Sequence, residues 1–393
     1  MKLLVVNDTD GRRNPGCRLT SRTLKQSLEA TFPEAEVTPA PWGFGRRLRL
    51  PRWSDRLVAA RGGDVFGRSF LRTLSIAEYG VAAVAAVEEG AAVVFQPEGT
   101  ISDSHRPLRI LRNLSLPLYA VLHVGVPVAV TNGTFPLFRD ERAEPIRMLL
   151  QGAVHASLRD RPSAEFWQVG FAPDTAVLWE GEPVVADADC LLITTGAEVA
   201  PERDLAAARS GLALCRETGL RPLVMTKAWE RLVPMRAEVE ALGGVFMQDV
   251  RMADADVLLS RCRAHVGGRY HMALMCATKG IPSALVRTNT HKNLWLAEEF
   301  RGIRLADSEE ALGQVGRELL AGELPNLPLL QDVRRCCDLQ AARMADLRSA
   351  VLAGQGTPTR PTAPSAALLS AIASESRRDL WKGTLRRITG RKI

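Results

Sequence analysis

The chain has 393 residues, 46% hydrophobic and 24% charged, which is enough for two globular cores. It contains no run of about 18 apolar residues that would span a bilayer, and no basic start followed by an apolar stretch of the secretory kind, so a cytoplasmic protein is expected. Seven cysteines without paired CxxC spacing argue against a zinc site; they are expected to be reduced thiols, with no metal bound. Seven Lys/Arg against Glu375 and Asp379 place +5 of the net +7 within residues 371–393, leaving the rest of the chain near neutral. No nucleic-acid-binding signature accompanies the basic segments and only 5% of residues are aromatic, so nucleic acid is not an expected partner.

In chain order, Leu3–Val6 reads as a strand, Asn14-Pro-Gly-Cys as a turn, and Leu19–Thr31 as a helix. Cys17 stands near a helix N-terminus, where a thiol pKa can fall, yet no histidine is close in sequence, so we read it as a small buried residue. Residues 41–72 form an Arg-rich insert in which Arg46, Arg47, Arg49 and Arg52 mix with Trp42, Phe44 and Trp53. It suits either a solvated loop or a grip on a polyanionic or lipid-linked acceptor. A helix over Ile76–Glu89, a strand Ala92–Gln96, a helix Pro117–His123 and strands Val126–Val130, Phe166–Val169 and Ala176–Trp179 follow. Such alternation builds a doubly wound parallel sheet.

Acidic residues, Gly and Pro gather at Glu180–Asp189, and a second alternation begins at Cys190–Thr194. It runs through Leu205–Glu217, Pro222–Thr226, Val233–Leu242, Val245–Met247, Ala255–Arg261, Ala264–Val266, Met272–Thr278 and Ala284–Val286. Beyond Gly302 the pattern is helical, over Ser308–Ala321 and Asp332–Leu352. A Pro/Gly/Thr linker then leads to Leu368–Ile393, either a solvated tail or a basic amphipathic helix suited to an anionic membrane surface. The expected organisation is α/β, with two Rossmann-like domains facing a cleft. These are residues 1–182 (acceptor side) and 183–352 (donor side), followed by a linker and tail over 353–393.

The stretch Ala-His-Val-Gly-Gly-Arg-Tyr-His, residues 264–271, puts Arg269 and His271 where a strand hands over to a helix. Ligands of open α/β sheets gather at such junctions. Arg269 offers a fork for phosphate or carboxylate and His271 a proton near neutral pH; the ordinary alternative is a surface ion pair and a helix cap. Glu98 and Asp103 flank Gly99-Thr100 after a strand, where a carboxylate can take protons from attacking hydroxyls or simply cap the next helix. Asn14 and Gly16 lie in the first strand-to-helix turn, and the Thr195-Gly-Ala-Glu198 loop follows the first strand of the second alternation.

Arg-x-His, a small-residue helix, Gly280-Ile-Pro, a strand and then His291-Lys292 resemble the C-terminal half of the polysaccharide pyruvyltransferase family. The opening strand with its Asn/Gly loop, Val93-Val-Phe-Gln-Pro-Glu-Gly-Thr and Leu158-Arg-Asp-Arg-Pro-Ser163 look like further elements in the expected order, with Pro97 where a glycine is usual. The resemblance implies a fold like that of the GT-B glycosyltransferases and transfer of pyruvate from phosphoenolpyruvate to two sugar hydroxyls as a ketal. On that basis no cofactor beyond the donor is expected, and the partner is a saccharide acceptor, free or lipid-linked, in cell-surface polysaccharide synthesis. His271 would be the acid, Glu98 the proton acceptor, and Arg269, Lys292, His291, Asn14, Gly16, Gly99 and Thr100 would line the substrates. Two alternatives stand beside it: a GT-B glycosyltransferase using a nucleotide sugar, and a non-catalytic carbohydrate-binding relative.

Overall fold

The computed structural model describes residues 1–12, 14–43, 65–196, 201–227, 232–287, 291–308, 310–354 and 363–375. Residues 44–64, with most of the Arg-rich insert, and the tail beyond 375 lie outside the described residues, as do Ala197 and Glu198.

Twelve strands form two six-stranded sheets. The first holds β1 (Lys2–Val6), β2 (Glu36–Ala40), β3 (Ala92–Phe95), β4 (Val128–Val130), β5 (His155–Leu158) and β6 (Gly170–Phe171), in the order β2-β1-β3-β4-β5-β6. The second holds β7 (Cys190–Thr194), β8 (Arg221–Thr226), β9 (Val245–Gln248), β10 (Cys262–Gly267), β11 (Ser283–Val286) and β12 (Ile303–Ala306), in the order β12-β11-β10-β7-β8-β9. Every pairing between them is parallel.

Parallel strands covered on both faces must be apolar throughout, and β1 shows how the faces divide. Leu3 and Val5 join Leu24 and Leu28 of the Pro15–Thr31 helix and Phe32 at its C-cap on one face, while Leu4 and Val6 enter the cluster containing Phe70, Leu71 and Leu111 on the other. In β7, Leu192 likewise faces one cluster and Leu191 and Ile193 another. Each fully buried Leu or Val contributes about 1.5–3 kcal/mol, so the sheets are held chiefly by this two-sided burial.

Several elements differ from the sequence reading. Phe166–Val169 is not a strand: Asp160 caps a helix, Arg161–Trp167, by accepting from the Ser163 amide at 2.8 Å. Ala176–Trp179 is not one either, because Asp174 caps a 3-10 turn over Thr175–Leu178. The Ile76–Glu89 helix is two helices, Arg68–Tyr79 and Val81–Glu88, broken at Gly80 with φ 92. Pro117–His123 is the end of a longer helix, Pro107–Tyr119, running into a π turn over Ala120–Val124. The chain past Gly302 is not wholly helical, since β12 closes the second sheet beside β11.

The Leu327–Ala353 helix, capped by Asn326, ties the halves together. Leu329, Val333 and Cys336 pack into the core under the second sheet, whereas Met344, Leu347 and Val351 cover Leu3 and Val5 of the first. Residues 366–375 are also helical. Leu368 and Ile372 are buried in the first half's core, and Glu375 Oε2 accepts from the Leu108 amide at 2.9 Å. These two apolar residues are therefore not available to a membrane surface, which corrects the reading of 368–375 as the start of a membrane-lying helix. Among the described residues, no helix is long and apolar enough to cross a membrane.

Candidate functional site

Both sheets change winding direction once, between β1 and β3 in the first and between β7 and β10 in the second. At such a switch point the flanking loops part and leave a crevice beyond the carboxyl ends of the strands. Gln96, Pro97 and Glu98 follow β3; Thr195 follows β7, and Gly268 and Arg269 follow β10. Gly267, with φ 152, lets β10 end against Thr194, because a Cβ there would lie 2.3 Å from the Thr194 carbonyl oxygen.

His271 sits in the first turn of the Tyr270–Thr278 helix and is 8% exposed. Its Nε2 lies 3.2 Å from Asp174 Oδ2 and 3.0 Å from Arg159 Nη1, and its Nδ1 lies 3.8 Å from Glu98 Oε1. Arg159 Nη1 donates to Asp174 Oδ2 at 2.6 Å, and both residues are almost wholly buried. A neutral ring can accept from Arg159 at Nε2 while Nδ1–H points toward Glu98, or donate from Nε2 to Asp174; the protonated ring faces a carboxylate on each side. That arrangement suits a residue that takes up and releases a proton.

The first helix places its amino end against this ring. Asn14 caps it by accepting from the Gly16 amide at 3.2 Å, and Pro15 occupies its first turn. A Cβ on Gly16 would lie 2.3 Å from His271 Cβ, so only glycine allows the approach. Cys17 Sγ–H donates to Glu98 Oε1 at 3.3 Å, and burial pushes its thiol up to about 12. The lowered thiol pKa considered from sequence is thus overturned, and the buried reading of Cys17 holds.

Glu98 has φ 48, a left-handed conformation unusual for a non-glycine residue, and its carbonyl accepts from the Thr134 amide at 2.8 Å. Burial raises its carboxyl pKa, but His271, Arg12, Arg159 and Lys292 outweigh that and hold it down to about 2. Glu98 faces the imidazole as a counter-charge.

The other expected residues divide. Gly99 and Lys292 belong to the cluster, since a Cβ on Gly99 would lie 3.4 Å from Arg159 Nη2 and 3.8 Å from Lys292 Nζ. Asn14 and Arg269 line one cleft with Thr226, Lys227, Asp249 and Met272. Arg269 Nη2 donates to Thr195 Oγ1 at 3.0 Å. Thr100 serves structure, its hydroxyl accepting from Asn7 Nδ2 at 3.0 Å. His291 turns away to Asp160 Oδ1 at 2.7 Å and Ser163 Oγ at 2.9 Å, joining the halves beside the cluster. Asp103 caps no helix; the next one has Arg106 at its N-cap without a side-chain cap bond, and burial raises the Asp103 carboxyl pKa.

Sequence reasoning missed Arg159, Asp174 and Lys227 as site residues. Arg159 was in view within Arg-Asp-x-x-Ser: its Asp caps a helix and its Arg reaches into the cluster. Asp174 carried only the look of a cap in Pro-Asp-Thr, and Lys227 that of a residue ending an apolar strand. Among the described residues, no group of three or more His, Cys, Asp or Glu is placed to hold a metal ion.

No family model matches the chain, and no curated protein matches it. Among solved structures, it is similar to MnaA of S. aureus solved with UDP, with TM-score 0.54 and 10% identity over 98% of this chain and 96% of that one. It is similar to Anabaena Alr3699/HepE in complex with UDP and glucose, with TM-score 0.53 and 10% identity over 90% and 99%. A third is the glycosyltransferase SnogD from Streptomyces nogalater, with TM-score 0.51 and 16% identity over 89% and 99%. The fold is the GT-B architecture, two parallel α/β sheets with flanking helices.

Proposed function

We propose that this chain is a transferase that moves a group from a phosphate-bearing donor to a saccharide hydroxyl, with the donor held on the second sheet and the acceptor on the first. One observation carries the reading: His271, Arg12, Arg159 and Lys292 gather about Glu98 where the loop after β3 meets the helix that follows β10. Cations beside an imidazole suit a leaving phosphate and a hydroxyl nucleophile.

The first reading of the donor is a nucleotide sugar, supported by two structural neighbours that were solved with UDP. In that reaction the acceptor oxygen bonds to the anomeric carbon, the carbon–oxygen bond to phosphate breaks, and the nucleotide leaves with the electron pair. His271 takes the acceptor's proton, and Arg269 and Lys292 offset the charge of the departing phosphate.

The second reading is pyruvyl transfer from phosphoenolpyruvate, favoured by His271 meeting Arg159 just past the end of β10. Two sugar hydroxyls then add to the enol carbon, one of their protons reaches the methylene by way of His271, and the other leaves with inorganic phosphate. Seven Lys/Arg after residue 370 support a lipid-linked acceptor at an anionic membrane surface as part of the same proposal.

The test offers purified protein nucleotide sugars or phosphoenolpyruvate, each with saccharide acceptors, and follows nucleoside diphosphate, inorganic phosphate and product mass. Acceptor-dependent release of one leaving group, lost in His271→Ala, is expected, and its identity selects the donor. Binding of neither donor class would overturn the proposal.

A further inference from the structure

The Pro15–Thr31 helix reaches the His271 cluster a second time, one turn beyond Gly16, through Thr20. The Thr20 hydroxyl donates to Asp174 Oδ1 at 2.7 Å and accepts from Asn132 Nδ2 at 2.9 Å. The Ala176 amide donates to the same Asp174 oxygen at 2.9 Å. Asn132, with φ 61, is held in turn: its Oδ1 accepts from the Thr175 amide at 2.8 Å, and its Nδ2 donates to Gln96 Oε1 at 3.2 Å. Thr20, Asn132 and Asp174 are all fully buried, so no water competes for these bonds.

With Oδ1 fixed in this way, Oδ2 of Asp174 is left for Arg159 Nη1 at 2.6 Å and His271 Nε2 at 3.2 Å. Two donors that meet on one oxygen lie side by side, and the 3.0 Å between Nη1 and Nε2 is that separation. Burial raises the Asp174 carboxyl pKa, but Arg159 and His271 outweigh it and hold the group well below its ordinary value. An ionised carboxylate only accepts, which puts the ring hydrogen on Nε2 and leaves Nδ1 bare. Nδ1 is also the nitrogen nearer the cleft: a Cβ on Gly16 would lie 3.0 Å from it, and the neighbouring Asn14 and Pro15 line the cleft.

We propose that Thr20 is a positioning residue for proton transfer, which by fixing Asp174 keeps the His271 hydrogen on Nε2 and presents bare Nδ1 to the acceptor hydroxyl. The proposal rests on His271 taking the acceptor's proton, as argued above for a nucleotide-sugar donor. In that step the acceptor oxygen bonds to the anomeric carbon, its proton passes to Nδ1, and the bond to phosphate breaks with its electron pair leaving on the nucleotide. The imidazolium then faces Asp174 at Nε2 and Glu98 at Nδ1 until it gives the proton to water. Asp174 itself takes no proton.

The experiment compares the full chain with Thr20→Val, which removes the hydroxyl, and Thr20→Ser, which restores it. Nitrogen-15-labelled histidine, with His271→Ala for assignment among the six histidines, reports by NMR which ring nitrogen carries the hydrogen, without any substrate. In wild type the hydrogen is expected on Nε2, protected from exchange. Thr20→Val is expected to lower that protection about tenfold and kcat about tenfold with KM little changed, and Thr20→Ser to return both. A hydrogen found on Nδ1 in wild type overturns the proposal whether or not Thr20→Val folds. So does a folded Thr20→Val with the protection and kcat of wild type, or a loss that Thr20→Ser leaves in place. If neither donor class is turned over, the proposed transfer falls, and the exchange of the Nε2 hydrogen by itself decides whether Thr20 positions the ring.

Discussion

The two halves of the molecule hold their charges in opposite ways. In the first, Arg159 is 1% exposed and Asp174 fully buried, each paired at 2.6 Å, with His271 pressed against them from the other half. In the second, Lys227, Arg269 and Asp249 line one cleft and each is half-buried. The buried pair is committed to geometry, because an ion taken out of water must keep its partner. The cleft residues are only half-buried, and His271 stands where the two halves meet.

The largest expected effect tests the committed side. Asp174→Ala strands the Arg159 guanidinium and should cost about 3–5 kcal/mol in chemical denaturation, against about 0.5 kcal/mol or less for Lys227→Met. Equal losses would erase the distinction between the halves. At the meeting point, His271→Ala should cut turnover about 10²- to 10⁴-fold with a smaller change in denaturation midpoint. Turnover close to wild type would remove His271 from the chemistry.

Gly16→Ala sharpens the comparison, because it alters no charge and only pushes the amino end of the first helix off His271. A loss of about 1–3 kcal/mol is expected, together with reduced turnover. Unchanged activity would show that the close approach is incidental.

The pH profile of stability gives a smaller signal with a defined sign. Glu98 is held down to about 2 in the fold against an ordinary 4.5, so its contribution is complete above about pH 4.5 and is lost as pH falls toward 2. Glu98→Gln should flatten that acid limb of the urea midpoint. A wild-type limb in the variant would assign the acid sensitivity elsewhere.

Removal of residues 363–393 should be milder for the site, since it takes away Leu368, Ile372 and the Glu375 partner of the Leu108 amide, all far along the chain from His271. A lowered melting temperature with donor binding intact is the expected result; lost donor binding would tie the tail to the cleft.

The sheet architecture was legible because parallel strands buried on both faces must be written as short apolar runs, and β1, β3, β7, β8 and β10 are. β2 was not, because Glu36–Ala40 includes Pro39 and lies at the sheet edge with mostly exposed side chains. The position of Arg269 and His271 at the strand-to-helix junction after β10 was legible from the sequence. Asp174 was not, since its partners Arg159, Thr20 and His271 come from distant parts of the chain. The ionisation of Glu98 was not legible for a related reason. Its position after β3 is local, but its ionisation is set by Arg12, Arg159, His271 and Lys292 together.

The Leu327–Ala353 helix has a further consequence for how the molecule is made. Leu3 and Val5 are made well before Met344, Leu347 and Val351, which cover them. Until that helix is made, this face of the first sheet has only Leu24, Leu28 and Phe32 to pack against.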